Sequence, residues 1–310
     1  MWRLDRYSDV GDPFFSQVAD YVVSITADER QSIVGSGELR SVRSTDAGRE
    51  WVFEAPGTRD FAAAAGRFLA GREMSVGGIE VRSWYPKDRA EQAANNLRDA
   101  ASAVEYYVGR YGAPGETEIE VLLTEGLLGG MEYPGLVFTS NVLTQLEGLP
   151  VLPKLARHVG FGEIQSRYVV GHEVAHQWWY GLVGNDQIRE PWMDEALAET
   201  STRLWLRDLE GNDRTWQITN LATSARARRG VIGAGVVDFT TNSAYTAAIY
   251  ASGSQILLNL ERMVGRARFE SILATWAEEQ GTRIGTIDEF LKVVEREAGS
   301  EAADFLSEYR

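Results

Sequence analysis

Two of the three histidines in this chain stand four residues apart in the run His172-Glu173-Val174-Ala175-His176, and that spacing constrains the fold more than any other feature. Residues four apart share one face of an α-helix, one turn above the other. Both imidazoles then reach a single ion, with Glu173 beside them. The pattern carries meaning only on a helix. Tyr168, Val169 and Val170 before it and Gln177-Trp178-Trp179-Tyr180 after it support one, and Gly181 and Gly184 are placed to stop it. In this H-E-x-x-H arrangement the glutamate is a general base and not a ligand. The plainer alternative is two unconnected histidines on an ordinary helix.

A second segment supplies what the first lacks. Pro191 sits where a helix can begin, because its missing N–H would have no intrahelical partner there. Trp192-Met193-Asp194-Glu195-Ala196-Leu197-Ala198-Glu199 follows, and 18 residues separate His176 from Glu195. That is room for a turn and a return on an adjacent helix. Two histidines and one glutamate leave a tetrahedral zinc ion with one open position for water, the mark of a catalytic site. The chain has no cysteine, so thiolate ligands and disulfides are excluded. Glu199, one turn beyond Glu195, or Asp194 can orient a ligand from behind, and either can equally be a solvated acid.

With 310 residues, 44% of them hydrophobic, the chain is long enough for one large domain or two ordinary ones. Forty-five acidic against 31 basic residues give a formal charge of -14. That balance argues against general binding to nucleic acid or to an anionic membrane, since both need a basic face. It suits a cleft that receives a cationic group, and it also simply keeps a protein in solution. Arg226, Arg228 and Arg229 form the only basic cluster and read as a solvated helix end. No stretch approaches the roughly 18 apolar residues of a membrane-spanning helix. The compartment stays unknown.

Residues 1–86 read as β structure. Ala19–Ile25, Gly37–Val42, Glu50–Glu54 and Gly78–Trp84 are short runs rich in Val, Ile and aromatics, separated by Gly, Asp, Ser or Pro. A helix is predicted over Arg89–Arg110, with apolar residues at Ala93, Leu97, Ala100, Val104 and Val108, and a strand over Glu118–Thr124. From Gly162 onward the pattern is mostly helical. The boundary is placed near Tyr85-Pro86, giving domains 1–86 and 87–310.

The run from His172 to Gly181, followed by Trp192-Met193-Asp194-Glu195-Ala196, resembles the zinc-dependent aminopeptidases of the membrane alanyl aminopeptidase family. Upstream, Gly129-Gly130-Met131-Glu132-Tyr133-Pro134 is similar to that family's Gly-Ala-Met-Glu-Asn loop, with Gly130 in place of Ala and Tyr133 in place of Asn. The resemblance implies that Glu132 grips the free α-amine of a peptide, with Gly130 and Met131 at the substrate. It also implies a Tyr that stabilises the oxyanion, followed closely by Lys-Gly. Tyr250-Ala251-Ser252-Gly253 takes that place with Ser252 where Lys is usual, and Tyr245 is the competing residue.

The implied fold is α+β, a partial N-terminal β-sandwich followed by a thermolysin-like, mainly helical metallopeptidase domain. The resemblance runs through the segment around Gly11-Asp12-Pro13 and the final helices, and the chain is expected to enter the sandwich partway through. The implied activity is removal of the N-terminal residue of peptides with one Zn2+ per chain, Glu173 as base, Tyr250 as oxyanion donor and His172, His176 and Glu195 on the metal. A zinc endopeptidase, a zinc-binding but catalytically incomplete fragment, and a binding protein built on an inactive peptidase remain as alternatives.

Overall fold

A computed structural model describes residues 5, 7–11, 14–125, 129–140, 161–209 and 228–310. The chain divides into two compact units, Val18–Leu182 and Met1–Gln17 with Val183–Arg310. The fold is α+β, with β-sheets early in the chain and helices later.

The first unit opens with seven strands. β1 (Ala19–Ala27), β3 (Glu38–Thr45) and β4 (Gly48–Thr58) form a three-stranded antiparallel sheet in the order β1-β4-β3. β2 (Ser32–Gly35) and β5 (Ala63–Gly66) pair separately, and Ile33 of β2 is buried in one cluster with Trp51 and Phe53 of β4. The four strands predicted from sequence all form. β2, β5 and β6 (Phe68–Val76) were not predicted: Ala63-Ala64-Ala65-Gly66 carries none of the β-branched or aromatic residues that mark a strand.

A five-stranded sheet follows in the order β6-β7-β8-β10-β9. β7 (Ile79–Pro86) and β8 (Glu118–Thr124) are parallel, so a crossover must join them. Helix α1 (Ala90–Tyr111) provides it. Its buried residues include Ala93, Leu97, Ala100, Val104, Tyr107 and Tyr111, spaced three or four apart, while Val108 is half-buried at the edge of the stripe. Gly112 ends the helix at φ 81°, a backbone region that glycine enters without a Cβ penalty. β9 (Gly130–Tyr133) and β10 (Leu136–Ser140) form a hairpin around Pro134-Gly135, with β10 parallel to β8 and β9 at the sheet edge. β7 and β8 pair in one sheet across residue 86, and the compact units divide at Gln17/Val18 and Leu182/Val183.

Helix α2 (Phe161–Ala175) completes this unit. An aromatic cluster fixes it to α1: Trp178 stands edge-on to Tyr107 at 5.5 Å, and Tyr111 lies 5.1 Å from Trp179. All four rings are buried. The Tyr107 hydroxyl donates to the Gly171 carbonyl at 3.1 Å and the Trp178 indole N–H to the Gly112 carbonyl at 2.9 Å. Burial of these rings dominates the packing, and their polar tips are satisfied, so neither costs an orphaned donor.

The second unit is helical. It contains α3 (Trp192–Leu209), α4 (Asn242–Tyr245), a π-helical turn (Thr246–Ser252), α5 (Gly253–Val264), α6 (Arg266–Gln280), α7 (Ile287–Ala298) and α8 (Ser300–Ser307). Every residue of α3 from Trp192 to Leu206 is buried, charged ones included. Within that run Arg203 donates to Glu199 at 2.8 Å, both side chains 1% exposed. Of the basic cluster, Arg228 and Arg229 are exposed, and Arg226 lies outside the described residues, as do Asp12 and Pro13. Among the described residues no helix is long and apolar enough to cross a membrane.

Replacing one member of a buried ion pair leaves the other charge desolvated, at about 3–5 kcal/mol. Arg203→Met takes away the guanidinium that faces Glu199 and is expected to lower the unfolding free energy by roughly that amount. Urea denaturation followed by tryptophan fluorescence measures it, and a loss well under 1 kcal/mol would show that the pair contributes little.

Candidate active site

The two histidines of the H-E-x-x-H run lie at the C-terminal end of α2. The assigned helix closes at Ala175, one residue before His176, yet the His176 N–H still bonds the His172 carbonyl at 3.3 Å. The helical phase therefore holds through both residues. Their Nε2 atoms lie 3.1 Å apart and their ring planes are nearly perpendicular. Two donors bound about 2.0–2.1 Å from a tetrahedral zinc ion stand roughly 3.4 Å apart, so this approach fits a shared metal. His176 Nδ1 meets the Trp179 carbonyl at 2.8 Å. That bond keeps the proton on Nδ1 and leaves Nε2 free as a ligand, the usual arrangement behind a metal-bound imidazole.

His172, Glu173 and His176 are all buried. In the second unit Glu195 is buried on the first turn of α3. Among the described residues, the His and carboxylate group able to hold a metal ion is His172, His176 and Glu195. Two imidazoles and a carboxylate, with no thiolate, suit zinc.

Neither acid considered for a supporting role is a solvated surface group. Asp194 accepts from the Gln187 side chain at 2.5 Å and from the Glu195 backbone N–H at 2.9 Å, which ties it to the start of α3. Glu199 takes the Arg203 hydrogen bond.

Glu132 is buried on β9, opposite Val137 of β10. The same strand brings Gly130 against Glu173: a Cβ built on Gly130 would lie 2.4 Å from the Glu173 carboxyl carbon. Hairpin and Glu173 are thus in direct contact, and Met131 and Glu132 follow at once along the strand. The sequence treats this segment as a loop, because four residues of Gly-Met-Glu-Tyr carry too little strand signal. The β10 partner Leu136-Val137-Phe138 is what makes it a strand.

Tyr250 and Tyr245 differ in burial. Tyr245 is buried, 5.4 Å from the Phe239 ring, and a Cβ on Gly11 would fall 2.8 Å from it. Tyr250 is half-buried in the π-helical turn, edge-on to Tyr245 at 5.9 Å. π-helical turns recur at functional sites. The turn runs directly into Gly253, where a Cβ would come within 2.8 Å of Ala196 and 2.9 Å of Trp192 on α3. Glycine is therefore required beside the Glu195 helix, and the expected Tyr-x-x-Gly spacing has a packing cause. Ser252, in the position expected for Lys, is buried and accepts the Arg228 N–H at 2.8 Å.

Two further residues are not singled out by the sequence. Arg59, 1% exposed just beyond β4, donates to the Tyr180 carbonyl at 2.8 Å and the Leu182 carbonyl at 3.3 Å. Burial draws its guanidinium down to about 10, opposed by the neighbouring Asp60 charge. The Tyr180 hydroxyl bonds Asp60, and Tyr180 itself sits at φ 137°, a strained conformation for a non-glycine residue. The other is Gln177, buried directly after His176. Its place between the second histidine and a pair of tryptophans hints at a buried polar contact without naming the partner.

The model of the peptidase family M1 domain matches residues 100–309. The chain is 25% identical to aminopeptidase N of Lactococcus lactis subsp. lactis, over 77% of its own length and 29% of that protein. It is 24% identical to aminopeptidase N of Caulobacter vibrioides, over 93% of its length and 35% of that protein. It therefore spans about a third of the length of these curated relatives. The fold is shared with an M1 zinc metallopeptidase from Deinococcus radiodurans, at a TM-score of 0.72 and 18% identity, covering 94% of this chain and 64% of that one. With the family domain matched over more than half of its residues, the chain belongs to peptidase family M1.

Proposed function

We propose that this chain is a zinc aminopeptidase that hydrolyses the first peptide bond of peptides bearing a free N-terminus. The observation that carries this reading is the contact between the Glu132 hairpin and Glu173. Glu132, an acid that can receive an ammonium group, follows two residues after Gly130, which abuts Glu173, the base in this reading. Family membership and the aminopeptidase N relatives support it.

His172, His176 and Glu195 hold the metal in this reading. Bound zinc supplies a Lewis acid that brings the pKa of a coordinated water toward neutrality and polarises the scissile carbonyl. Glu173 accepts the proton of the attacking water and delivers it to the departing amine nitrogen. The Tyr250 hydroxyl donates a hydrogen bond to the oxygen that gains negative charge. Glu132 pairs with the substrate ammonium and sets which bond meets the base. An endopeptidase has no use for that anchor.

Zinc content and hydrolysis of amino-acid anilides, measured together, test the assignment. Glu173→Gln should keep one zinc per chain while turnover falls by about 100- to 10,000-fold, the range of a lost general base. Loss of zinc with turnover would make Glu173 structural. Tyr250→Phe should lower kcat by about 100- to 1,000-fold with KM little changed, as for a lost oxyanion donor. An unchanged kcat would return that role to another residue. An N-acetylated anilide should resist cleavage, and equal cleavage of both substrates would favour an endopeptidase. Chelation should abolish turnover and added Zn2+ restore it. Bound zinc with no turnover in the unmodified chain would leave the metal assignment standing and contradict the activity.

A further inference from the structure

We propose that Gln177 is a positioning residue that fixes the distance between the amine-binding carboxylate and the metal ligands. The inference rests on the reading of Glu132 as the amine anchor and deepens it. Gln177 is 1% exposed and follows His176 directly. Its Oε1 accepts the Gly135 N–H at 2.8 Å, and its Nε2 donates to the Tyr133 carbonyl at 3.3 Å. One side-chain amide thus bridges both sides of the turn between β9 and β10.

The hairpin needs such a hold. β9 is the edge of its sheet and pairs with β10 alone among the described residues. A four-residue edge strand on one ladder is weakly fixed in register. At its start Gly130 abuts Glu173, and at its end the turn is tied to Gln177. Glu132 lies between these two points. Gly135 has φ 70°, so its N–H direction belongs to a conformation that glycine supplies and that the Gln177 carbonyl oxygen caps. Along the other direction the chain passes from Gln177 to His176, whose ring is held by the Trp179 carbonyl. Glu132 and the metal ligand are therefore joined through one residue with little slack. Displacements of about 1 Å can cost 100-fold in rate, so a short rigid link has catalytic value.

The amide is specific to this task. It needs one acceptor and one donor on a planar group; a carboxylate lacks the donor, and methionine of similar size has no donor and only a weak acceptor. Gln177→Glu should keep the Gly135 bond and lose the Tyr133 bond.

The test is peptide binding by calorimetry to zinc-loaded Glu173→Gln protein, in which turnover is suppressed, using tri-alanine and its N-acetyl derivative. The parent should favour the free amine. Adding Gln177→Met should weaken tri-alanine binding by about 10-fold or more, the scale of a misdirected charge-assisted hydrogen bond. The N-acetyl affinity and the zinc stoichiometry should not change, and Gln177→Glu should fall between. Once Glu132→Gln is present, Gln177→Met should have no further effect on amine selectivity. An equal loss for both peptides, a loss of zinc, or full additivity with Glu132→Gln would overturn the inference and leave Gln177 as a packing residue. Should Gln177→Met fail to fold, Gln177→Glu carries the same comparison. Equal binding of both peptides by the parent would sink the Glu132 assignment, and the inference with it.

Discussion

Two imidazole nitrogens meet 3.1 Å apart in a buried pocket at the end of α2, and much of the first unit serves to keep them there. Both nitrogens are held in a buried environment, where a bound cation would face little competition from water. Because the two nitrogens are positioned by the fold, metal affinity and the local fold are coupled. The Tyr107–Trp178 and Tyr111–Trp179 packing holds α2 against α1. The Trp179 carbonyl sets the His176 ring, and Arg59 secures the strained turn at Tyr180 just beyond it. A buried arginine spent on two backbone carbonyls is expensive, and its position here ties β4's end to the segment that orients a ligand.

The second unit shows the same economy in different parts. Glu195 sits on a helix buried all round, where a charged residue persists only with partners. Asp194 and Glu199 are anchored on that helix by Gln187 and Arg203. The absence of a Cβ at Gly253 lets the turn carrying Tyr250 close on Trp192 and Ala196. Serine at 252 is compatible with this because its hydroxyl serves the backbone of Arg228.

Much of this was legible in the residues. The four-residue histidine spacing and the 18-residue gap to Glu195 need only helical periodicity to become a metal group, and α1 and β8 announce themselves by pattern. What escaped is what depends on tertiary partners. Ala63–Gly66 becomes a strand because Ser32–Gly35 pairs with it. Gly130–Tyr133 becomes one because of β10. Arg59 acts on residues more than a hundred positions away, and Gln177 on a hairpin more than forty away. No local window contains either relation. Motif spacing favours Tyr250 over Tyr245, and the two differ in burial, Tyr245 being buried and Tyr250 half-buried.

X-ray absorption at the zinc edge, on the metal-loaded chain, examines the central claim most directly. One zinc with two imidazole nitrogens and oxygen ligands, all at about 2.0–2.2 Å, is the expected shell. Replacing His172 or His176 with Ala should remove one imidazole from that shell or abolish binding. A shell built from oxygen alone, or one that keeps both imidazoles after either replacement, would contradict it.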